Sequence, residues 1–173
     1  MNIRALLFLL LSAACSFAQS YEVAGVIFRP AFTNSSDAGY LREYLPVGQT
    51  LDAWTNLFAV RCFRDLDSPK DYIGKMAADY QQKYPGMKFA TFDQKSKNRF
   101  FIDFFAYPLD KKSKFFEWDF FRAQTNAAGG IVVFQYAERR YRKKSVHEFD
   151  TWDIHGMRQQ MLPLLMTNEF TIP

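Results

Sequence analysis

Three carboxylates are the first place to look for chemistry. Asp103, Glu117 and Asp119 sit in two neighbouring aromatic runs, Arg99-Phe-Phe-Ile-Asp-Phe-Phe-Ala-Tyr107 and Phe115-Phe-Glu-Trp-Asp-Phe-Phe121. On adjacent strands, with all three on one face, they could bring two acids to one substrate, which general acid and base catalysis requires. Nothing in the local sequence fixes their spacing. Pairing with Arg122, Lys97 or Arg99 is therefore the expected role, and no catalytic residue is assigned.

The other reactive side chains give less. His147 and His155 lie in a stretch with three acids, His147-Glu-Phe-Asp-Thr-Trp-Asp-Ile-His155. On a helix that separation is roughly 12 Å, too far for both imidazoles to share one zinc. No HExxH, paired-cysteine, GxSxG or glycine-rich phosphate pattern occurs, so no metal ligand and no cofactor are expected. Arg139, Arg140, Arg142, Lys143 and Lys144 form a basic cluster that could meet an anionic partner. Strand alternation would split these charges between two faces, so a solvated strand end is expected and nucleic acid is not.

The elements that must position these residues are strands. The two aromatic runs and a third, Ile131-Val-Val-Phe-Gln-Tyr136, are rich in β-formers and are separated by turn signals, which predicts an antiparallel meander. Along the first run Phe100, Ile102, Phe104 and Ala106 share an apolar face. Phe101, Asp103, Phe105 and Tyr107 share the other. In the second run Phe116, Trp118 and Phe120 oppose Phe115, Glu117, Asp119 and Phe121. With both helices expected on one side of the sheet, the mixed face carrying Phe101, Asp103, Phe105, Tyr107, Phe115 and Phe121 is expected to receive a partner: another protein, a copy of this chain or an apolar ligand.

At the amino end, Met1-Asn-Ile-Arg and an apolar run end at Ser16-Phe-Ala18, the pattern of a secretory signal peptide cut after Ala18. Export to the periplasm or beyond is the expectation, with the membrane relevant only if Cys15 is lipidated. Losing Arg4 with that segment lowers the formal charge from +4 to +3, too little to imply an acidic polymer. Cys62 is then the only cysteine, so no internal disulfide can form, and its apolar setting predicts a buried thiol.

Elsewhere the patterns predict strands over 22–32, 40–45, 57–63 and 87–94, with a polar loop over 33–39 that includes a glycosylation sequon, Asn34-Ser-Ser36. Thr50 is placed to cap a short helix bearing Trp54. Ser68, Pro69 and Asp71 open a longer helix whose stripe is Ile73, Met76, Ala77, Tyr80 and Tyr84. A last helix is expected over 145–168, interrupted by Pro163.

The stretch Glu43-Tyr-Leu-Pro-Val-Gly-Gln-Thr-Leu-Asp-Ala-Trp-Thr-Asn-Leu-Phe58 resembles the opening of small exported bacterial proteins with the PsbP/Mog1-like α+β sandwich. The resemblance implies an architecture and little chemistry. The expectation is one α+β domain over 19–173, an antiparallel sheet of six or seven strands with two helices on one face. The function expected is an exported, non-enzymatic binding or assembly module. A periplasmic inhibitor or immunity-type protein, or a hydrolase using the sheet-face carboxylates, are the alternatives.

Overall fold

In the computed structural model the described residues are 19–84, 88–106, 115–141 and 153–172. Tight turns build the first half of the sheet. Strand β1 (Tyr21–Val23) turns into β2 (Val26–Ser36) through Ala24 and Gly25, both at positive φ (51° and 78°). That is the backbone of a two-residue hairpin whose twist matches the strands. A second two-residue turn, Asp37 and Ala38, leads into β3 (Gly39–Pro46). Gly39 is required there: its φ is 149° and a Cβ would overlap the carbonyl of Cys62. Strand β4 (Asn56–Phe63) completes this antiparallel meander.

Helix α1 (Pro69–Lys83) starts as its sequence dictates, with the Ser68 hydroxyl accepting from the Asp71 amide at 3.1 Å and Pro69 in the first turn. It leads to β5 (Phe89–Gln94), β6 (Arg99–Ala106), β7 (Phe115–Thr125) and β8 (Ile131–Tyr141), after which α2 (Ile154–Thr167) closes the order. The eight strands form one curled antiparallel sheet in the order β1-β2-β3-β4-β8-β7-β6-β5. Two meanders are thus joined at a single seam, β4 against β8.

This topology settles where the helices lie. To travel from β4 to the far edge at β5, the chain must cross β8, β7 and β6, and α1 does so on the face carrying Ile102, Phe104, Phe121, Ala123, Ile131 and Val133, where Ile73 is buried and Met76, Ala77 and Tyr80 pack. Helix α2 lies on the opposite face, over Phe101, Phe105, Trp118, Phe120, Phe134 and Tyr136. Its Met161 and Leu165 are buried, each worth about 1.5–3 kcal/mol relative to exposure. The segment beyond α2 continues over that face: Phe170 packs on Phe58 and Phe134 at 4.8 and 5.3 Å, and the Tyr21 hydroxyl donates to the Thr171 carbonyl at 2.7 Å.

Four expectations are corrected. The sheet has eight strands, not six or seven, because the Ala24-Gly25 turn divides one expected strand into two. The helices cover opposite faces, not one. Residues 33–36 continue β2, so the polar loop shrinks to the two-residue turn. No helix forms at Thr50: Thr50 and Ala53 form an isolated bridge, and Gln49 Oε1 accepts from the amides of Thr55 and Asn56 at 2.7 and 3.3 Å. The start of the C-terminal helix expected at 145 lies outside the described residues.

Candidate functional site

Cross-strand register decides what the carboxylates can do. Asp103 pairs with Phe120, and Phe104 with Asp119. Asp103 therefore lies on the α2 face, and Glu117 and Asp119 on the α1 face. The three do not share a face, which corrects the expectation. Their partners differ too. Asp103 accepts from Trp118 Nε1 at 3.1 Å and from Arg158 Nε and Nη2 at 2.5 and 3.0 Å. Lys97 and Arg99 both pair with Glu169. Arg122 donates to the carbonyls of Leu165 and Asn168 at 3.2 and 2.6 Å, where the end of α2 presents unsatisfied carbonyls and the negative end of its dipole. Burial, with Arg99 adding to it, lowers Arg122 to about 10, and its guanidinium stacks on Phe134 and Phe170.

The residues expected to form an open docking face are dispersed. Phe101 and Phe105 are buried beneath α2, because that helix occupies the side of the sheet expected to be free. Phe121 pairs with Ile102 and belongs to the α1 face, stacking on Phe104 at 5.8 Å. Tyr107 lies outside the described residues. Of the basic cluster, Arg139 and Arg140 point to opposite faces, and Arg142, Lys143 and Lys144 lie outside the described residues.

On the α1 face, Glu117 and Asp119 make a linked polar row. Gln135 Nε2 donates to Asp119 Oδ1 at 2.7 Å. Burial, and then the adjacent Glu117 carboxylate, push Asp119 well above the usual carboxylate range. Glu117 Oε2 in turn accepts from Arg139 Nε and Nη2 at 2.9 and 2.8 Å. The Arg139 guanidinium is sandwiched between the rings of Trp54 and Phe115, 3.7 and 3.8 Å from their centroids. Tyr80 of α1 feels the same row: burial, then Asp119, push its hydroxyl up to about 12. Through Arg139 the row ties the Trp54 turn to the sheet.

A concave surface lies beside this row. A cleft of about 300 Å³ is lined by Asn34, Ser36, Gly39, Leu41, Arg61 and Phe63, with Ser35, Ala38, Tyr40 and Cys62 completing it. Its floor is β3 and β4, and its rim is the β2–β3 turn. Arg61 pairs across the sheet with Leu41 and Val133, so its side chain shares the α1 face with Asn34 and Phe63. Its guanidinium lies 5.8 Å from the Phe121 ring centroid, and its Nη1 is buried with no hydrogen-bond partner. The signal was in the sequence: one arginine inside the apolar run Leu57-Phe-Ala-Val-Arg-Cys-Phe63. Cys62, its neighbour on the other face, is a buried free thiol accepting from Asn126 Nδ2 at 3.5 Å.

Among the described residues no group of three His, Cys, Asp or Glu side chains is arranged to hold a metal, and no helix is long and apolar enough to cross a membrane. Fold and cleft together define an α+β protein built on one antiparallel sheet with a helix on each face. Residues 18–167 match the model of an uncharacterized protein family, and the chain belongs to that family. No curated protein and no solved structure matches it.

Proposed function

We propose that the protein is an exported, non-enzymatic binding module that holds a ligand in the cleft between the β2–β3 turn and β4. The observation that carries this reading is the cleft itself, a concavity of about 300 Å³ that sets apolar Leu41 and Phe63 beside polar Asn34, Ser36 and Arg61, the mixture of apolar wall and few polar groups that small-molecule sites use. The export part rests on the first 18 residues of the sequence, and the finer placement among PsbP/Mog1-like sandwiches rests on residues 43–58 alone.

A second reading, a hydrolase using Glu117 and Asp119, is favoured by the raised pKa of Asp119, since enzymes hold a carboxyl neutral when it must give up a proton. Against it, Asp119 is buried and Glu117 is already committed to Arg139.

The test combines a ligand screen by thermal shift with two variants. Leu41→Trp, which fills the cleft, is expected to abolish any shift, and Asp119→Asn to preserve it. A ligand whose shift survives Leu41→Trp would overturn the cleft reading, and turnover lost with Asp119→Asn would favour the hydrolase. Amino-terminal sequencing of protein recovered from outside the cytoplasm should begin at Gln19.

A further inference from the structure

The other arginines drawn into the fold each have at least one protein acceptor, although Arg99 Nη1 and Arg122 Nε and Nη2 are, like Arg61 Nη1, buried without a partner. Arg99 meets Glu169, Arg122 meets two carbonyls, Arg139 meets Glu117 and Arg158 meets Asp103. Arg61 is half-buried, yet among the described residues it forms no ion pair and no hydrogen bond. Glu43, on the same face of the neighbouring strand, pairs in register with Ala59 and makes no ion pair with it. Asp119 acts on Arg61 through space, with burial raising the pKa of that carboxyl, and its hydrogen bond is with Gln135. A buried donor without an acceptor costs about 1–3 kcal/mol, and more when it is charged. Arg61 differs from the others in lining the cleft, where a bound acceptor can meet its guanidinium.

We propose that the cleft binds a small carboxylate with an apolar chain, the two carboxylate oxygens held by the Arg61 fork and the chain laid against Leu41 and Phe63. This rests on the binding reading above and names its ligand class. A planar guanidinium matches a carboxylate in two-point geometry. A phosphate dianion would call for a second cation or a helix amino terminus, and the lining has neither: the nearby Arg64 donates Nη1 to the Asp37 carbonyl at 3.0 Å. Asn34 and Ser36 add donors at the rim. A cleft of about 300 Å³ has room for roughly ten water-sized groups at about 30 Å³ each, which limits the ligand to a short chain.

The experiment is an amide NMR titration of the purified protein with octanoate, octanol and octyl phosphate. Octanoate is expected to move the amides of Gly39, Leu41 and Phe63 and to bind at least about tenfold more tightly than octanol, a difference of about 1.4 kcal/mol. Arg61→Met should bring the two affinities together, and Leu41→Trp should weaken both. Equal binding of octanol and octanoate in the cleft would overturn the carboxylate assignment and leave the binding reading standing, as would tighter binding of octyl phosphate. If no probe moves the cleft amides, both fall. The comparison of octanoate with octanol needs no variant, so it decides the question even if Arg61→Met misfolds.

Discussion

Arg158 holds Asp103 in a two-point ion pair, with Nε and Nη2 donating to its two carboxylate oxygens at 2.5 and 3.0 Å, and this pair fastens α2 to β6. Asp103 is buried, and the Arg158 side chain is 31% exposed. Asp103→Asn keeps an acceptor for Trp118 but removes the charge that Arg158 faces. It should lower stability by about 2 kcal/mol, less than a fully buried pair would lose because Arg158 can turn to water. Urea denaturation measures it. An unchanged midpoint would mean that the pair contributes nothing and that apolar packing alone holds α2.

Two acids should shape the pH profile of stability in opposite directions. The pKa of Asp119 is raised above 3.8 by burial, so its stabilising contribution is complete below about pH 4 and is lost as pH climbs through the folded value. Glu169 is lowered from 4.5 to about 2 by its bonds to Arg99 and Lys97, so its contribution is present above 4.5 and is lost as pH falls towards 2. Asp119→Asn should flatten the decline on the alkaline side, and Glu169→Gln the decline on the acid side. Thermal melts of each variant across pH 2–9 check both. A decline above pH 4 as steep in Asp119→Asn as in the wild type would assign it to other groups.

Phe101→Ser should cost about 3–5 kcal/mol, because it opens a cavity under α2 and buries a hydroxyl with no arranged partner. Val47→Ser, at a side chain 70% exposed, should change stability by no more than about 0.5 kcal/mol. Denaturation midpoints of the two, side by side, test whether that face is core.

The Ala24-Gly25 turn asks a Cβ-bearing residue to hold a φ of 51°. Ala24→Asn, the residue this hairpin favours, should stabilise the protein by about 0.5–1 kcal/mol and raise Tm by about 1–4 °C. No rise in a calorimetric scan would show that the turn carries little strain.

What the sequence disclosed and what it hid follow from the range of each signal. The α1 cap was legible because Ser68, Pro69 and Asp71 act within one turn, and the three aromatic strands because alternation is local. Ala24 carries no turn signal and Gly25 stood alone among strand-forming residues, so the first hairpin was missed. Thr50 offered cap chemistry with no apolar periodicity behind it, and Gln49 instead fixed a turn by accepting two backbone amides. The pairing of Asp103 with Phe120, not with an acid of β7, depends on a register that no residue within either strand encodes. The faces of the two helices depend on the crossover from β4 to β5. The cleft was half legible: Arg61 stood out as a charge in an apolar strand, but only the fold brings Asn34 and Ser36 beside it.

The seam between β4 and β8 sets an order of events. The last of the described strands, β8, occupies the middle of the sheet, paired on one side with β4 and on the other with β7. Until Ile131–Tyr141 is available, each half is a meander with an unprotected inner edge, the kind of edge that recruits other chains. Closure depends on contacts between residues far apart in sequence, which makes it the slow step. A chain ending before Ile131 would present the inner edges of both β4 and β7, and should associate through them.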